Sequence, residues 1–62
     1  MGLLDLKATL QSTLTQKQEL VRDYQTFAEQ LPDQDVAKMY RHFAEAEALH
    51  ATKIKEKLED LQ

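Results

Sequence analysis

Sixty-two residues with eleven acidic and eight basic side chains, a net charge of −3 and no cysteine make one small domain, without a disulfide, a thiolate metal site or a thiol nucleophile. A chain this short exposes much of its apolar surface and usually needs a staple or a partner. Its basic residues are dispersed among carboxylates, which argues against nucleic acid as a partner, and its longest apolar runs, such as Leu3-Leu4, are two residues, against the roughly 20 of a membrane span.

From the N-terminus, no basic segment precedes an apolar core, so a secretory signal is not expected. Absence of cysteine is compatible with a reducing compartment, and a cytoplasmic location is expected. Met1-Gly2 invites a myristoylation reading, but Leu6 stands where that motif prefers Ser or Thr.

Apolar residues then recur at helical spacing as Leu3, Leu6, Leu10, Leu14, Leu20 with Val21, Tyr24, Phe27 with Ala28, and Leu31. This predicts a first helix over about 3–30, with Lys17 as the only gap in its stripe. Pro32 lacks an amide hydrogen and biases Leu31 away from helical angles, placing a turn at 31–33. Asp33 is suited to cap a second helix, and Asp35 adds a favourable charge near that helix's positive end. The second stripe runs Val36, Met39 with Tyr40, Phe43, Ala46 with Glu47, His50, Ile54, Leu58 and Leu61, predicting a second helix over about 34–61. Each helix would be about 40 Å long, and so short a turn folds them into an antiparallel hairpin, a single domain over 1–62.

The stripes are about two positions wide, as expected for helices that touch two neighbours. A second hairpin is the simplest supplier of the missing surface. The expected architecture is therefore all-α, an antiparallel hairpin that dimerises two-fold symmetrically into a four-helix bundle. Counting outward from the turn sets Tyr24 and Phe27 against Met39, Tyr40 and Phe43, an aromatic cluster with a structural role. The same counting sets Lys17 opposite Glu47 and His50.

Glu47 and His50 lie roughly 60° apart on one helix face, on a stripe where the pattern asks for apolar residues. A buried carboxylate beside a buried imidazole needs a partner, for which a metal ion and Lys17 compete. Thr13, Ala44, Ala46, Ala48 and Ala51 are small enough to leave room for an ion or waters, or simply favour close packing. His42, beside Arg41, is expected to face solvent and is given no function. No catalytic residue is assigned, because no Ser, His and Asp constellation, phosphate loop or nucleophilic cysteine is present. An interaction module presenting Arg22, Arg41, Lys53 and Lys55 to another protein is a competing class. A helix lying on a membrane is disfavoured by the acidic balance.

Tyr24, the short turn, Ala44 and Glu47-Ala-Leu-His50 followed by Ile54 and Leu58 resemble one helical hairpin of the ferritin-like, rubrerythrin-like superfamily, over about Lys17 to Leu61. The resemblance implies a four-helix bundle holding two iron ions through a Glu on each of two helices and a Glu-x-x-His on each of the other two. A homodimer would supply half from each copy, with Glu47 and His50 as the Glu-x-x-His pair. One departure matters: the first-helix glutamate of the family falls seven residues before Tyr24, where this chain has Lys17, and Glu19 points about 200° around the helix from that position's neighbourhood. An ammonium opposes a divalent cation and attracts a carboxylate. The leading expectation is a half-bundle with a structural or interaction role, its di-iron centre replaced by a Lys17, Glu47 and His50 network. The alternative is a rubrerythrin-like oxidoreductase holding iron or zinc through two Glu47 and two His50 at the dimer interface, with Lys17 turned aside.

Overall fold

The computed structural model describes residues 5–61 and consists of two helices, α1 (Leu6–Gln30) and α2 (Gln34–Asp60), packed against each other as a hairpin. Asp5 starts α1. Its backbone is extended (φ −77°, ψ 120°) and its carboxylate accepts the amides of Lys7 at 2.9 Å and Ala8 at 3.2 Å, which α1 itself cannot satisfy. Among the described residues the helix thus begins at Leu6, directly after its capping aspartate. Leu3 and Leu4 lie outside the described residues.

At the other end Leu31 is extended (φ −80°, ψ 134°), as its position before Pro32 requires, while its amide still donates to the Phe27 carbonyl at 3.0 Å. Asp33 caps α2 by accepting the Val36 amide at 3.0 Å. Asp35 in the first turn and Lys57 in the last complement the helix dipole. No helix among the described residues is long and apolar enough to cross a membrane.

Alanine builds the interhelical seam. The buried residues of α2 are Ala37, Ala44 and Ala51, spaced by one heptad, with Tyr40, Glu47, Ile54 and Leu58 half-buried between and after them. From α1 come Leu10, Leu14, Lys17, Val21 and Tyr24, half-buried, and Ala28, buried. Steps of three and four keep one stripe of each helix facing the other along its length. This seam is rotated from the stripe expected on α2: Met39, Phe43, Ala46 and His50 all remain exposed. Methyl side chains let the two backbones approach, so the alanine row takes the contact and the bulkier row is left on the flank.

Near the turn Tyr24, Phe27, Tyr40 and Phe43 form the expected aromatic cluster, with ring centroids 5.3 Å apart for Phe27 and Tyr40 and 5.7 Å for Tyr24 and Phe43. These are edge-on contacts, the arrangement that places a positive ring edge on a negative face. Even so, Phe27, Met39 and Phe43 stay 41%, 40% and 43% exposed. The hairpin measures 50 × 20 × 12 Å, so it is one helix thick and has no second layer over either flank.

Candidate functional site

At mid-hairpin the alanine seam is interrupted by Lys17 on α1 and Glu47 on α2. The helical spacing that puts Tyr24 in the seam also puts Lys17 there two turns earlier, and Glu47 follows Tyr40 by seven residues in the same way. Their side chains meet, with Lys17 Nζ 2.9 Å from Glu47 Oε1. His50, one turn along α2, places Nδ1 3.3 Å from the same oxygen. An ionised carboxylate only accepts, so Nδ1 carries the proton in this contact.

The three groups are sheltered unequally. Glu47 is 15% exposed, Lys17 27% and His50 54%, so the carboxylate sits in the seam and the imidazole on the flank. Within one hairpin, Glu47 therefore sits between the two helices and His50 lies at the edge of their contact. A turn of three residues rotates His50 out of the narrow contact that a single pair of helices makes.

Lys17 sets the electrostatics. The Glu47 carboxyl is held below its ordinary value, first by the hydrogen bond from Lys17, with burial opposing and the His50 hydrogen bond and both positive charges adding to it. Chemically, the pair is a neutral unit with one carboxylate oxygen already committed to an ammonium. One chain then offers a cation at most the other Glu47 oxygen and a neutral His50 imidazole. Among the described residues no group of three or more His, Asp or Glu side chains is gathered as a metal site would require.

Thr13, half-buried on α1, uses its hydroxyl to donate to the Thr9 carbonyl at 3.1 Å, so it does not join the polar layer. No family model matches the chain, and no curated protein or solved structure matches it either.

The opposite flank carries an open groove of about 750 Å³ with a floor of Val21, Ala28, Ala44 and Ala48. Gln25, Glu29, Lys38, Arg41, His42 and Glu45 border it. His42 is exposed there, as its place beside Arg41 led one to expect. The groove escaped sequence reasoning, although the heptad of Ala37, Ala44 and Ala51 was a usable signal for a seam with shallow ground on one side.

Proposed function

We propose that this chain is a ferritin-like half-bundle in which an ion pair has taken the central metal position, and that it acts as a structural or interaction module completed by a second copy of itself. The observation that carries the reading is the 2.9 Å contact between Lys17 and Glu47. In a metal-holding bundle of this kind that level would be built of carboxylates; here an ammonium neutralises the one carboxylate present. Two copies would bring two Glu47 and two His50 but also two lysines, which raises the cost of placing a divalent ion between them.

Pairing is supported by the core. Among the described residues the buried ones are four alanines, Ala28, Ala37, Ala44 and Ala51, and no large side chain is fully buried. At about 25 cal/mol per Å² of apolar surface removed from water, so thin a core contributes little against the entropy of ordering two long helices. A second hairpin adds the missing layer.

Elemental analysis of protein purified without chelator tests the reading, with His50→Ala alongside. Wild type should carry no stoichiometric iron or zinc. Stoichiometric metal in wild type that disappears in His50→Ala would overturn the ion-paired layer in favour of a metal-binding oxidoreductase.

A further inference from the structure

We infer that the flank carrying Leu20, Phe27, Met39, Phe43 and Ala46 is the surface on which a second copy of this chain seats. The inference rests on the half-bundle reading and adds to it the face of contact and its occupant.

Area is the first argument. A compact monomer of 7.2 kDa exposes about 4,100 Å². This chain exposes 4981 Å², an excess of about 900 Å² that is close to the roughly 800 Å² each partner covers in a standard interface. A slab one helix thick exposes more surface than a compact shape of the same mass, and a second slab of the same length would cover one of its flanks.

Composition then separates the two flanks. Along α2, Met39, Phe43, Ala46 and His50 recur at steps of four, three and four, and no charged side chain falls on that row between Val36 and His50 except Glu47 at its seam edge, which Lys17 neutralises. Along α1, Thr13, Gln16, Leu20 and Phe27 share the matching face, with Asp23 at its outer edge. The other flank has an alanine floor between Glu29, Lys38, Arg41 and Glu45. Covering it would strip water from several charges for little apolar gain. Apolar side chains left 40 to 43% exposed on the first flank are what a facing copy buries.

Sedimentation velocity at micromolar concentration reads the outcome, with circular dichroism to confirm helicity. Wild type should run at twice the 7.2 kDa chain mass. Phe43→Glu and Ala46→Glu should raise the dissociation constant by about a hundredfold or more, the cost of an unpaired charge in an apolar contact, and Ala48→Glu and Leu49→Glu should leave it unchanged. A helical, monomeric wild type would sink both the surface and the half-bundle reading. A paired wild type broken by Ala48→Glu and spared by Ala46→Glu would sink the surface alone.

Should the glutamate variants unfold, single thiols decide instead, because the chain has no cysteine of its own. Alkylation of Ala46→Cys should slow as chain concentration rises, while Leu49→Cys reacts at a constant rate. The reverse pattern overturns the assignment.

Discussion

Lys17 and Glu47 join α1 to α2 through a 2.9 Å ion pair set in a seam that is otherwise aliphatic side chains and tyrosine. A polar pair in such a seam is satisfied in one alignment, since sliding either helix by a turn would leave an ammonium or a carboxylate against methyl groups. The pair thereby reinforces the register that the short turn between Gln30 and Gln34 already sets.

Its strength should lie between that of an exposed and a buried pair. A double-mutant cycle of Lys17→Met and Glu47→Gln, read by urea unfolding at one fixed chain concentration, should give a coupling energy of about 1 kcal/mol. A coupling indistinguishable from zero would mean the pair exerts no hold on the register.

Acid should weaken the hairpin through Glu47. Its folded-state pKa is depressed, chiefly by Lys17, so the unfolded chain binds a proton more readily than the folded one. The stability this contributes is complete above the ordinary glutamate range and is lost as pH falls through that range toward the depressed value. Urea midpoints measured from neutral pH down to about pH 3 should fall less steeply for Glu47→Gln than for wild type.

Restoring a carboxylate at the lysine position should reverse the chemistry of the layer. In Lys17→Glu each chain presents two glutamates and His50 at one level, and removal of the ammonium leaves an uncompensated negative charge. Titration with zinc followed by calorimetry should show binding by this variant that wild type lacks. Without metal, the variant should unfold at lower urea, because two carboxylates then repel.

The seam should not tolerate volume. Ala44 is 4% exposed and Ala37 2%, so Ala44→Leu must push the helices apart or adopt a strained rotamer. A destabilisation of about 1 to 3 kcal/mol is expected by chemical denaturation. Leu49→Ala, at a side chain 66% exposed and away from the seam, should cost the hairpin nothing measurable.

Much of the hairpin was legible in the sequence because its signals are local. Apolar steps of three and four mark helices, Pro32 denies the chain an amide hydrogen, and Asp33 supplies the cap that its successors need. Chain length on each side of one short turn also fixes which residues are level, which is how Lys17 could be placed opposite Glu47 by counting. Asp5 was equally local and was hidden only by the leucines around it.

What only the tertiary structure decided is which of two neighbouring stripes on α2 forms the contact. The row of Ala37, Ala44 and Ala51 and the row of Met39, Phe43, Ala46 and His50 are both largely apolar and lie within about one residue's rotation of each other. Periodicity cannot choose between them. The choice depends on how near the helix axes come, and that distance is set by the side chains of both helices together: methyl groups let the backbones close, Lys17 reaches Glu47, and His50 is turned outward as a consequence.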